Sequence, residues 1–153
     1  MKKFLVFLSA LLIWAGTFAH TPGNIDEKTI RSFENSFPEA QQVQWQEQPD
    51  FYVVSFYEND ILSRVIYRKD GSYIHLVRYY EKQLLPFYVS EKVNRAYPGK
   101  QVFGVVEVSL LSGPDAYSDI NYYITLEDSK HWVTVKADSH GNMMTVKKIR
   151  KAL

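Results

Sequence analysis

The sequence has 153 residues, 18 of them basic and 17 acidic, and contains no cysteine. The near-neutral balance argues against nucleic acid as a partner. The missing cysteine excludes a disulfide framework, cysteine catalysis and a lipid-anchored N-terminus. An exported chain without disulfides depends on its core, and 46% hydrophobic residues with 11 Tyr, 9 Phe and 3 Trp supply one.

The N-terminus follows the export pattern. Lys2 and Lys3 precede an uncharged apolar run over residues 4–15, and Thr17-Phe18-Ala19 is an acceptable cleavage signal. A run of about a dozen residues is too short to span a bilayer. The expectation is a cleavable signal peptide over residues 1–19 and a periplasmic or secreted chain from His20. Losing two lysines leaves 16 basic against 17 acidic residues, a charge of −1. Residues 20–153 have the size of one domain.

Beyond residue 23, two stretches of about 24–80 and 85–150 carry the same order of signals. Asn24-Ile25-Asp26-Glu27 has the form of a capping box, with Asn24 as the N-cap. Ile30, Phe33 and Phe37 recur at helical spacing, and Pro38 stops the helix. Strands are predicted at 42–47, 51–57, 61–68 and 72–80, with turns at Glu58-Asn59-Asp60 and Lys69-Asp70-Gly71. Pro86 can begin a second helix with Val89, Val93 and Tyr97 on one face, ended by Pro98-Gly99. Strands follow at 101–109, 119–127, 130–137 and 142–149, and the stretch 111–119 is a loop that the first half lacks. The fold class is therefore α+β, two tandem helix-plus-meander repeats with the helices on one face of an antiparallel sheet.

Strand alternation places Tyr52, Val54, Phe56, Val65, Tyr67, Tyr122, Ile124, Leu126, Val133 and Val135 toward the helices. On this pattern Tyr52 and Tyr122 are the only polar handles in the core. The opposite face carries Val53, Ser55, Tyr57, Arg64, Ile66 and Arg68, with Tyr123, Thr125, Trp132, Thr134 and Lys136. Aromatic rings with arginine are the composition of binding surfaces, although an antiparallel sheet can also leave one face to water.

Phe37-Pro38-x-Ala40-x-x-Val43-x-Trp45 resembles the opening of the PepSY-like repeat of exported bacterial proteins, grouped as β-lactamase-inhibitor-like. Asp70-Gly71, Leu85-Pro86, Tyr97-Pro98-Gly99-Lys100 and the closing run from Val135 to Asn142 fit the same pattern. The resemblance covers about residues 27–150. It implies tandem repeats, each a helical segment against an antiparallel sheet, and a periplasmic home. Inhibitors of that fold hold their enzyme with the exposed sheet face and protruding loops. None of their contact residues maps onto this chain by motif.

Catalytic signatures are missing. There is no Gly-x-Ser-x-Gly elbow, no glycine-rich phosphate loop and no His-Glu-x-x-His pair. His20, His75, His131 and His140 are scattered, whereas zinc needs three or four converging ligands. Asp26 with Glu27 suits a helix dipole, and Asp115 with Asp119 suits a turn. Neither the spacing of a glycosidase pair nor that of an EF-hand is present. The basic run 147–151 reads as a solvated strand end, or as a contact for an anionic envelope surface. No cofactor, no metal and no enzymatic activity are expected. The function expected is a module binding another envelope protein, with inhibition as one form of that binding, through Tyr57, Arg64, Tyr123 and Trp132, with Asp115 and Tyr117 of the extra loop. The alternative is a carrier or enzyme with a pocket between helix and sheet.

Overall fold

The computed structural model describes residues 25–110 and 119–152. The expected signal peptide, Asn24 and His20 fall outside these residues, as do Asp115 and Tyr117. Alternating apolar positions bounded by Gly- and Asp-containing turns specify antiparallel strands, and eight of them form. They are β1 (Gln41–Glu47), β2 (Phe51–Glu58), β3 (Ile61–Arg68), β4 (Tyr73–Tyr80), β5 (Gln101–Leu110), β6 (Asp119–Glu127), β7 (His131–Asp138) and β8 (Met143–Arg150). All eight join one open sheet in sequence order, every neighbouring pair antiparallel.

Helix α1 (Glu27–Ser36) precedes β1, and helix α2 (Phe87–Ala96) precedes β5. The helix starts later than a capping box at Asn24 requires. Asp26 is the N-cap in extended backbone, and its carbonyl accepts the amides of Thr29 and Ile30. Glu27 is therefore the first helical residue rather than the third. There its carboxylate favours the helix dipole and accepts a bond from Arg31 at 2.7 Å. Both helices end alike: the amides of Phe37 and Tyr97 close on the carbonyls of Phe33 and Val93, just before Pro38 and Pro98. A 3-10 turn at Lys82–Leu84, which the sequence reading does not contain, links β4 to α2.

Both helices lie on one side of the sheet. Phe33 of α1 and its C-cap Phe37 pack on Tyr52, Val54, Phe56, Val65, Tyr67 and Leu76. Val89 and Val93 of α2, with Leu85, pack on Val105, Tyr122, Ile124, Leu126, Val133 and Val135. The first cluster is aromatic, with Phe33 edge-on to Phe56 at 5.2 Å and to Trp45 at 5.5 Å. The second is mainly aliphatic. Each helix also rests on a hairpin glycine. Gly71 (φ 81°) faces Thr29, and Gly141 (φ 76°) faces Lys92, whose ammonium donates to the carbonyls of His140 and Gly141. The left-handed backbone and the tight approach both call for glycine there.

Between the two clusters the helix side is polar, contrary to the expectation that Tyr52 and Tyr122 alone carry polar atoms. Arg78 bridges Glu58 at 3.3 Å and Glu107 at 3.7 Å. Tyr80 donates to Glu107 at 3.0 Å and Ser109 donates to it at 3.3 Å. Ser63 is buried beside them. Alternation dictates the placement: Ser63, Arg78, Glu107 and Tyr122 are successive cross-strand neighbours of buried Phe56.

Candidate functional site

The far side of the sheet faces away from both helices, and no described element covers it. Cross-strand register arranges its side chains in rows. One row runs Tyr57, Leu62, Tyr79, Val106, Tyr123, Lys136 and Met144, from β2 to β8. Its first five members span four inter-strand steps, about 19 Å. Beside it lies a second row, Ser55, Arg64, Val77, Val108 and Asn121. The Arg64 guanidinium stands over the Tyr79 ring at 5.6 Å, so cation and aromatic present one joint surface.

Tyr57 and Arg64 are exposed, and Tyr123 and Trp132 are half-buried on the same side of the sheet. Tyr57 and Tyr123 share the long row, and Arg64 is tied to it through Tyr79. Trp132 is separate from them. It pairs with Glu127 and Ile149 near the ends of β6 to β8. Phe103 meets it edge-on at 4.7 Å, and the Lys151 ammonium lies 4.2 Å from its ring centre. The face therefore has two aromatic centres, with Gly104, Thr125 and Thr134 between them.

Leu62, Tyr79, Val106 and Phe103 are members of the face that the sequence reading does not name. Phe103 falls where the β5–β6 register shifts between Val102 and Gly104, which puts it beside Trp132. Only the valine and aromatic content of β5 hints at it.

The histidines do not gather on the face. His75 lies in a row with Ile66 and Leu110, and burial lowers its pKa. His131 sits 3.6 Å from Asp128 near the turn, and His140 lies in the β7–β8 turn. Asp128 is held below the usual carboxylate range, first by Lys100 and then by the amides of Lys130 and His131. Asp138 is lowered in the same way by Asn142 and the His140 amide. These carboxylates are fastened into turns and serve the hairpins. Among the described residues no three His, Asp or Glu side chains converge as a metal site would require.

A cavity of about 640 Å³ opens among Leu110, Asp119, Asn121, Lys136, Asp138 and Met144. A second, of about 310 Å³, lies between α1 and β1 against Phe33, Phe37 and Trp45. The latter is lined by apolar side chains and Glu34, and lacks the converging polar groups of a catalytic pocket.

The architecture is that of BLIP-like proteins. A BLIP-like protein of Bacteroides fragilis NCTC 9343 superposes with a TM-score of 0.68 at 15% identity, covering 84% of this chain and 89% of that one. A protein of Bacteroides eggerthii DSM 20697 described as periplasmic gives 0.63 at 16% identity, over 84% and 90%. A DUF2874 family protein of Bacteroides ovatus ATCC 8483 gives 0.65 at 14% identity, over 83% and 88%. No family model matches the sequence, and no curated protein matches it either. At these identities the likeness is one of fold. Among the described residues no helix is long and apolar enough to cross a membrane.

Proposed function

We propose that this chain is a periplasmic protein-binding module whose contact surface is the sheet face opposite the helices. The observation that carries the reading is the row Tyr57, Leu62, Tyr79, Val106 and Tyr123, backed by Arg64 and uncovered by any described element. Tyr57 is 38% exposed and Tyr79 is 37% exposed. Rigid rings and arginine side by side on a sheet face are the groups that most often dominate interface energy. The BLIP-like fold and the neighbour described as periplasmic support the same reading. So does the N-terminal sequence, which has the form of a signal peptide.

The module binds without catalysing. The polar cluster around Arg78 and Glu107 lies on the helix side, where its members bond to one another. We further infer that the sheet descends from two tandem PepSY-like units. The order of one helix and four strands recurs, and both helices rest on a hairpin glycine. Superposing residues 27–80 on 87–150 should align Phe33 with Val93, and a failure to align would end that inference.

The binding role is tested with single substitutions on the face. Tyr57→Ala, Arg64→Ala and Trp132→Ala should keep the melting temperature within a few degrees. Each that is a hot spot should weaken a captured periplasmic partner by about 2 kcal/mol or more. Loss of fold in Trp132→Ala, or undiminished capture by all three, contradicts the reading. Asp115 and Tyr117 remain candidates for the same surface, because their stretch of sequence has no counterpart in the first half.

A further inference from the structure

Across β5 to β8 the binding face contains a line of small side chains between two taller rows. The line is Gly104, Thr125 and Thr134, ending on Lys147. One wall is Val106, Tyr123, Lys136 and Met144, and the other is Phe103, Glu127, Trp132 and Ile149, with Glu127 paired to Lys151. Phe103 is 64% exposed and Ile149 is 45% exposed, so the second wall stands clear of the sheet. Rows on one face repeat every two residues, about 7 Å, which sets the walls roughly 13 Å apart with a low floor between them.

Gly104 opens this trough. A Cβ built there meets no atom within 4 Å, and its backbone lies outside the left-handed region. Gly104 adjoins the register shift between Val102 and Gly104, and a glycine inside a strand marks either such a bulge or the close approach of another backbone. Two cations border the trough, Lys136 and Lys147, whereas Lys148 and Arg150 alternate to the helix side of the sheet with Val133 and His131. Among the described residues no carboxylate lies within ion-pair distance of Lys136 or Lys147. Of the acids nearby, Glu127 pairs with Lys151 at 2.8 Å, Asp138 is bonded within its own turn, and Asp119 shares a cavity with Lys136 but lies beyond ion-pair distance of it.

We infer that the trough seats an extended acidic segment of the partner protein. Its backbone crosses Gly104 and the threonines, and its carboxylates meet Lys136 and Lys147. The inference rests on the sheet face being the binding surface and adds the chemistry of what it binds. Four strands give a floor of about 14 Å, room for about four extended residues.

The test is a titration of the ¹⁵N-labelled protein at low salt with a blocked eight-residue peptide of alternating aspartate and valine. Its lysine–valine counterpart is the control. Saturable shifts at the Gly104, Thr125 and Thr134 amides and the Trp132 indole are expected with the acidic peptide only. Gly104→Leu should keep its melting temperature, since its side chain has space, yet bind at least tenfold more weakly. The Lys136→Glu/Lys147→Glu variant should lose the acidic peptide to the same extent. Absent binding, equal binding of the lysine peptide, or unchanged affinity in both variants overturns the inference. Shifts centred on Tyr57, Arg64 and Tyr79 instead would overturn the trough and leave the binding face standing. Shifts confined to the helix side would overturn both.

Discussion

Glu107 shows how much one residue organises on the helix side. It is 12% accessible at its side chain, takes hydroxyl bonds from Tyr80 and Ser109, and faces Arg78. Glu107→Leu leaves Arg78 with Glu58 alone and removes the acceptor of the Tyr80 hydroxyl. The expected cost is about 1–3 kcal/mol in urea unfolding. Because Arg78 is partly exposed, its loss costs less than a fully buried ion would. Arg78→Met added to Glu107→Leu should cost less than the two single changes summed, since the second removes a charge the first has stranded. Tyrosines carry the alkaline limit. Burial, then Glu107, holds the Tyr122 hydroxyl up to about 12, and burial holds Tyr67 up to about 12. A raised tyrosine pKa means the folded state keeps its proton after the unfolded chain has lost it. Stability is therefore undiminished below pH about 10 and falls as pH rises toward 12. Circular dichroism against tyrosinate absorbance checks this. Tyr122→Phe should move the alkaline midpoint upward, and an unchanged midpoint would remove Tyr122 from the account.

The two helices are held by different materials. Helix α1 sits in a nest of rings, so Phe33→Ala should cost about 3–5 kcal/mol. Val93→Ala in α2 removes far less volume and should cost less, about 1–2 kcal/mol, by the area its side chain buries. Glycines give a sharper contrast. Gly141→Ala places a Cβ 2.7 Å from the Lys92 ammonium at a φ of 76° and should destabilise. Gly104→Ala meets nothing and should stabilise by about 0.5–1 kcal/mol. Thermal unfolding of the pair separates a glycine required by the backbone from one required by a surface. All eight strands were legible in the sequence to within a residue, because alternation and turn residues are local signals. The capping box was not. Asn24 and Asp26 are both capable caps, and only the start of the helix, set by packing of Phe33 and Phe37, chooses between them. The 3-10 turn at Lys82–Leu84 has no periodicity to announce it.

At the scale of the molecule, a sheet of eight consecutive antiparallel strands with both helices on one side leaves the other side free for contact. Which residues point there was legible: alternation placed Tyr57, Arg64, Tyr123 and Trp132 on that side. Which of them lie together was not, because cross-strand register is absent from a single sequence. Register joins Tyr57 to Tyr123 through Leu62, Tyr79 and Val106, and it sets Trp132 apart with Phe103. The polar helix side was missed for the same reason, since Arg78 and Glu107 become neighbours only when β4 pairs with β5. A competing surface exists on the chain. Phe87, at the start of α2, is 79% exposed, and Leu84 beside it is 55% exposed. The most direct measurement is therefore photo-crosslinking in cells of the native host, with a benzophenone side chain placed in turn at Tyr57, Tyr123 and Phe87. The account predicts one shared partner band from the two sheet positions and none from Phe87. A band from Phe87 with silence at Tyr57 and Tyr123 would contradict it.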